Sequence, residues 1–346
     1  GGRSPEEVVA PPGRIRQLVT DALAIPDLHL GWAIRVALPA ARLARSSGAA
    51  AILSTSPPQS CHLAALAVHR LMGLPWVAEL RDGWTFEGLS DLDRFRHRRR
   101  IEERLEAAVA RRAALVGVTR PIADDLARRF GAATWIPNGF DDEEIPPEAW
   151  EEARGLLEDG AVNLVYTGSL SAGRRTMSAS GGPPVRLTVM GRLYPEEARL
   201  LRSSDRCRVV PQRPRPVALA LQRLADALVL VTMPREVSIA TGKLFEYLGA
   251  RRPILALADG NEAAALVREL RAGVCVPPDD PDAVAQAVRA LAEGNAPPSP
   301  SEDAVAPFHR RAITVRLAAL LDDVASGAPS HASARRRLLS GRPPAR

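Results

Sequence analysis

The sequence predicts an α/β protein made of two Rossmann-like, doubly wound parallel-sheet domains. Three observations predict it. Short apolar runs recur along the chain without period-two alternation, as in strands buried on both faces. Segments with 3.6-residue periodicity separate them, and β alternating with α implies parallel sheets. The runs fall into two blocks, about 1–140 and 155–295, on either side of the acidic, proline-bearing stretch DDEEIPPEAW at 141–150.

In chain order, the first block offers strands AAILST (49–54), PWVAELR (75–81), ALVGVT (114–119) and TWIP (134–137). Helices are predicted at 59–72, 100–112 and 120–129. The second block offers VNLVYTG (162–168), VRLTVMG (185–191), CRVVP (207–211), ALVLVTM (227–233), PILALA (253–258) and GVCVP (273–277). Its helices are predicted at 215–225, 243–250, 261–271 and 281–293. Residues 170–184, where a crossover helix belongs, hold only Leu170 and Met177 as bulky apolar side chains, so a loop is expected there. The domain division is 1–140, 141–300, a last amphipathic helix within 301–326, and a disordered basic tail at 327–346.

A chain of 346 residues has room for two cores. It has no run of about 18 apolar residues, so no transmembrane helix is expected. Cys61, Cys207 and Cys275 share no metal-binding or disulfide spacing, which suits free thiols in a reducing cytoplasm. The net charge of +6 is concentrated in RFRHRRR (94–100) and in the tail 335–346. With aromatic residues at 4%, base stacking has little to work with, and no nucleic-acid partner is expected. A solvated helix face or contact with an anionic lipid surface remain the two readings of the basic helix.

Of the 46 basic residues, one is a lysine, Lys243, in TGKLFEYLGARRPILAL (241–257). It follows Gly242 at the start of a predicted helix. Helix N-termini present unpaired N–H groups to anions, and an ammonium adds a compact charge there. Glu246 lies one turn further on the same face, where a carboxylate can accept bonds from two vicinal hydroxyls. Together they suit the diphosphate and ribose of a nucleotide. The alternative is an intrahelical Lys–Glu pair on a solvated face.

These residues resemble the nucleotide-sugar-binding domain of GT-B glycosyltransferases, the glycosyltransferase-4-like superfamily. The resemblance rests on KLFEYLGARRPILAL, VYTGSL, LADALVLV and GVCVPPDDPDAVAQAVRAL in the second block. STSPPQSCHLAALAV, PWVAELRDGW and WIPNGFD carry it in the first. It covers about 25–325 and implies transfer of a sugar from a nucleoside-diphosphate sugar to an envelope glycan or lipid-linked acceptor. Retaining stereochemistry and a cytoplasmic setting, with membrane contact through the basic helix, come with it.

By the same resemblance, Glu246 takes the donor ribose, and Lys243 and Gly242 face the diphosphate or sugar. Gly168 lets the backbone approach the diphosphate, and Arg174 or Arg175 neutralises it. The first glutamate of the family's motif falls at Ser238; Glu236, two residues earlier, is a candidate replacement. Asn138 and Gly139 form the interdomain turn beside the donor. His62 and Asp82, at strand ends of the first block, are candidates to face acceptor or transferred sugar, against core or ion-pair roles. Trp84 stacks on a sugar or packs. No metal site is expected: DLD (91–93) precedes a basic helix and does not follow a strand. No cofactor is implied beyond the donor itself. No opening strand with a glycine-rich loop is found in residues 1–45, so a first domain lacking its initial strands is expected. Alternative readings are a sugar-nucleotide epimerase of the same fold and a non-catalytic nucleotide-sugar binder.

Overall fold

The computed structural model describes residues 24–87, 96–169, 184–232, 236–295, 297 and 299–327. The described chain divides into two compact units, one holding 24–118, 122–135 and 320 onward, the other 119–121 and 136–319.

In the first unit, strands β1 (Ile52–Ser56), β2 (Trp76–Leu80), β3 (Ala114–Gly117) and β4 (Thr134–Trp135) form a parallel sheet in chain order. Each connection carries a helix or a loop and a helix. Helix α1 (Leu30–Ser46) precedes the sheet, and α2 (Ser60–Met72), α3 (Arg96–Ala110) and α4 (Arg120–Phe130) follow its strands. Helix α1 was not among the periodic segments, because its buried stripe consists of Ala33, Ala37 and Ala41 while Ile34, Leu38 and Leu43 stay exposed. The core joins Leu66 of α2, Trp76 and Leu80 of β2, Leu115, and Ile122 and Leu126 of α4.

Two buried carboxylates tie the loop after β2 to helices. Glu102 receives Trp84 Nε1 at 3.0 Å and Arg98 Nε at 2.7 Å. Glu106 accepts from Thr85 and takes both Nη atoms of Arg129, at 2.7 and 2.9 Å. Bidentate guanidinium pairing satisfies carboxylate lone pairs that burial would otherwise leave unpaired.

In the second unit, α5 (Pro147–Arg154) begins within the acidic, proline-bearing stretch 141–150. Its proline at the first helical position costs no hydrogen bond there. There follow β5 (Val162–Thr167), β6 (Val185–Met190), α6 (Pro195–Arg202), β7 (Cys207–Val210), α7 (Arg215–Leu224), β8 (Ala227–Val231), α8 (Gly242–Ala250), β9 (Ile254–Leu257), α9 (Glu262–Glu269), β10 (Gly273–Val276) and α10 (Pro281–Ala292). Asn261 and Asp280 cap α9 and α10 through their side chains. The six strands are parallel in the order β10-β9-β8-β5-β6-β7. Strand order therefore reverses between β5 and β8. A ligand in such a sheet sits beyond the strand C-termini at this switch point. Where one C-terminal helix was expected, a short α11 (Glu302–Val305), a 3₁₀ turn and α12 (Arg310–Ala325) are found. Among the described residues no helix is long and apolar enough to cross a membrane.

Candidate functional site

Beyond the C-terminal ends of β5, β6 and β7 lies a cavity of about 320 Å³. Its floor is built by two glycines. Gly168, after β5, has φ +115°, and Gly191, after β6, has φ +152°; both values favour glycine. A Cβ on Gly191 would overlap the Gly168 carbonyl, and one on Gly168 would sit 3.0 Å from Lys243 Cε. The two backbones can therefore meet, and Lys243 can lie against them, only without side chains.

Helix α8 forms the opposite wall. Leu244, Phe245, Tyr247 and Leu248 are buried, which turns Lys243 and Glu246 together toward the cavity. Lys243 Nζ donates to Tyr166 Oη at 2.6 Å and stands 3.8 Å from the centroid of that ring. Tyr247 Oη accepts from the Thr167 N–H at 3.0 Å, and burial raises its phenol pKa. The glycine in FEYLGA has a packing reason: a Cβ on Gly249 would stand 2.6 Å from the Phe140 ring of the IPNGF turn.

Glu246 does not stand alone. Arg215 Nη1, in the first turn of α7, reaches Glu246 Oε1 at 2.6 Å, and its Nε also pairs with Glu143 at 2.8 Å. The hydrogen bonds that Arg215 donates to Glu143 and Glu246 raise the guanidinium pKa, and the first of them lowers that of Glu143. Gln222, 1% exposed, donates to Thr167 Oγ1 at 2.9 Å and approaches Glu246 Oε2 at 3.4 Å. With Glu246 ionised, each of its oxygens retains acceptor capacity beside these donors. Arg192, Gln212 and Arg213 complete the rim, Arg192 donating to Gln212 at 3.0 Å. Among the described residues, three arginines and one lysine thus line a cavity with a single carboxylate. Its field suits a multiply charged anion, while Glu246 suits hydroxyls.

The structure brings together Gly168, Lys243 and Glu246 from the sequence-derived set. Gly242 opens α8 but does not line the cavity, and Ser238 is buried beside it in the preceding loop. Glu236 also lies in that loop, outside the lining, so no second carboxylate joins Glu246 among the described residues. Asn138 is half-buried in the turn and away from the cavity wall. Arg174, the crossover 170–183, DLD at 91–93 and the tail from 328 lie outside the described residues.

In the first unit, Asp82 follows β2 with an exposed side chain. Partial loss of solvation raises its carboxyl pKa and Arg81 opposes this. His62 differs from expectation, because it belongs to the core. It is 0% exposed, and its ring lies 6.1 Å from Trp84 and 6.4 Å from Trp76. Ser54 Oγ accepts from Trp76 Nε1 at 2.8 Å and shares a hydrogen bond with His62 Nδ1, also at 2.8 Å. The His62 Nε2 has no hydrogen-bond partner among the described residues. Burial lowers the imidazole pKa to about 4. Trp84, 4% exposed, packs on this histidine and presents no face to a sugar.

Residues 172–294 match the family described as "Glycosyl transferases group 1". No curated protein matches the chain by sequence. Among solved structures, Anabaena HepE in complex with UDP and glucose is similar at 16% identity and TM-score 0.59, over 78% of each chain. A UDP-forming α,α-trehalose-phosphate synthase from Burkholderia xenovorans is similar at 14% identity and TM-score 0.56, over 84% of this chain and 78% of that one. The lipopolysaccharide outer core galactosyltransferase WaaB is similar at 12% identity and TM-score 0.53, over 87% and 81%. The chain has the GT-B fold, and the family match falls on the second-block part of the resemblance read from its motifs.

Proposed function

We propose that the chain is a glycosyltransferase that takes a sugar from a nucleoside-diphosphate donor held by the second unit. The observation that carries this reading is the cation-lined cavity at the β5/β8 switch point, with Glu246 among its cations. Glu246 would accept the ribose hydroxyls. Lys243 and the close-packed Gly168–Gly191 backbone would receive the diphosphate. As the sugar leaves, negative charge grows on the diphosphate, and fixed cations in a partly enclosed site stabilise it without reorganising. In this reading the side-chain cations do the work a metal does elsewhere. UDP is the first nucleotide to test, because HepE was solved with UDP and glucose. A hexosyl donor, retention of configuration and a glycan or lipid-linked acceptor are the finer reading. Asp82 is the described first-unit candidate to face acceptor. Exposed Arg96, Arg100 and Arg104 repeat every four residues along α3, which suits an anionic lipid surface at the cytoplasmic face.

An epimerase shares the architecture: a UDP-GlcNAc 2-epimerase from Methanocaldococcus jannaschii is similar at TM-score 0.52 and 11% identity, over 84% of this chain and 81% of that one. Epimerisation needs groups that remove and return a proton. Among the described residues, the one carboxylate lining the cavity is already bound to Arg215, which favours transfer. Incubating the protein with labelled UDP-, ADP- and GDP-sugars and a crude membrane acceptor fraction separates the readings. Label moving to acceptor supports transfer. Conversion to an epimer, or binding without turnover of any donor, removes it.

A further inference from the structure

Lys243 is anchored by a residue that lies outside the cavity lining. Tyr166, 2% exposed, is the penultimate residue of β5. Its Oη donates to the Ser169 carbonyl at 2.8 Å, so its proton is committed to the glycine loop and its lone pairs face the ammonium. Lys243 Nζ meets that oxygen at 2.6 Å and lies above the ring that bears it. On its other side stands Gly168, where a Cβ would be only 3.1 Å from Nζ. One helical turn along, Tyr247 makes the reverse link from α8 to the Thr167 N–H.

We propose that Tyr166 is the positioning residue that presents Lys243 to the diphosphate of the donor, an inference that rests on the nucleoside-diphosphate reading above. A lysine ammonium on its flexible four-carbon stem loses rotamer entropy when it is fixed. Here the phenol and ring fix it before a ligand arrives, so binding does not have to do so. The same slot explains why the chain keeps its one lysine at this position. A compact ammonium fits between the Tyr166 ring and the bare Gly168 backbone, a position that a planar guanidinium would address differently. Tyr166 touches Lys243 and the loop carbonyl, and acts on ligand only through them.

A single lysine also gives a single probe. Protein carrying ¹³Cε-labelled lysine yields one Lys243 ε-CH₂ signal, shifted upfield by the ring beneath it. That signal is followed in wild type, Tyr166→Phe and Tyr166→Leu, with Kd values measured for UDP, ADP, GDP and the matching nucleosides. Tyr166→Phe is expected to keep the upfield shift and weaken the bound nucleoside diphosphate about fivefold, the loss of one hydrogen bond. Tyr166→Leu is expected to lose the shift and weaken it at least about tenfold. Nucleoside affinity is expected to stay within about twofold in both, which a general structural defect would not spare. Should both variants, folded by circular dichroism, keep wild-type diphosphate affinity, the role of Tyr166 is wrong while the donor reading stands. If wild type binds no diphosphate more tightly than its nucleoside, the donor reading itself fails. The Phe variant keeps the test open if the Leu variant does not fold.

Discussion

Lowering the pH from 7 to 5 should destabilise the first unit through His62. The imidazole is fully buried and neutral, with a pKa of about 4 against 6.5 for an exposed histidine. Between those values the unfolded chain binds a proton that the native core excludes, so unfolding free energy falls as pH falls. The contribution is complete above pH 6.5 and is lost progressively down to about 4, where native His62 also protonates. Each unit of pKa difference is worth about 1.4 kcal/mol, and the step from pH 7 to 5 spans most of the range, giving a loss of about 2 kcal/mol. Buried Glu102 has a raised pKa and works in the opposite direction, since its native form takes up protons first. The assay is urea unfolding followed by tryptophan fluorescence at a series of pH values, because Trp76 and Trp84 flank the ring. His62→Asn leaves a cavity and lowers stability at every pH, but it removes the titrating group. Its pH dependence should be flatter than wild type by about 2 kcal/mol between pH 7 and 5. Parallel pH curves for the two proteins would refute the buried neutral histidine and return His62 to the list of solvent-facing candidates.

Three further outcomes follow from the contacts. Arg129→Met leaves Glu106 and Asp125, 2% and 4% exposed, without their shared guanidinium, and should cost about 3–5 kcal/mol in urea unfolding of the first unit; an unchanged midpoint would contradict the network. Gly191→Ala should lower the second unit's stability by about 1–3 kcal/mol, because its Cβ meets the Gly168 carbonyl, and nucleotide affinity should fall with it; a fully stable variant would show that the two loops separate at little cost. Arg215→Met should weaken a nucleoside diphosphate several-fold more than its 2′,3′-dideoxy analogue, because Arg215 holds the carboxylate that meets those hydroxyls. Equal losses for both ligands would mean that Arg215 acts on the phosphates.

All ten strands among the described residues were legible, because a parallel strand buried on both faces must be a continuous apolar run. Helices α1, α5 and α6 were not. The buried stripe of α1 is alanine, and α5 and α6 are short helices whose charged residues outnumber their apolar ones. In the site, Lys243 and Glu246 showed through helical spacing, and Gly168 through its place after a strand. Arg192, Gln212 and Arg215 were missed although the same rule, function after each strand, reaches the ends of β6 and β7. The signal for Gln222 was also present, as an amide among Val217, Leu219, Ala220 and Leu221 on the buried side of α7. What no spacing rule contains is pairing across elements. That Arg215 would meet Glu246, or Tyr166 would seat Lys243, depends on the packing of α7 and β5 against α8. His62 was placed wrongly for a related reason: a strand-end position does not say whether a tryptophan covers it.

The central claim is tested most directly by calorimetric titration of UDP, ADP and GDP into wild type, Lys243→Met and Glu246→Ala. At least one nucleotide should bind wild type, and each substitution should weaken it at least about tenfold, by loss of a charge-assisted contact. Binding of none of the three, or binding that survives both substitutions unchanged, would contradict a donor site at this cavity.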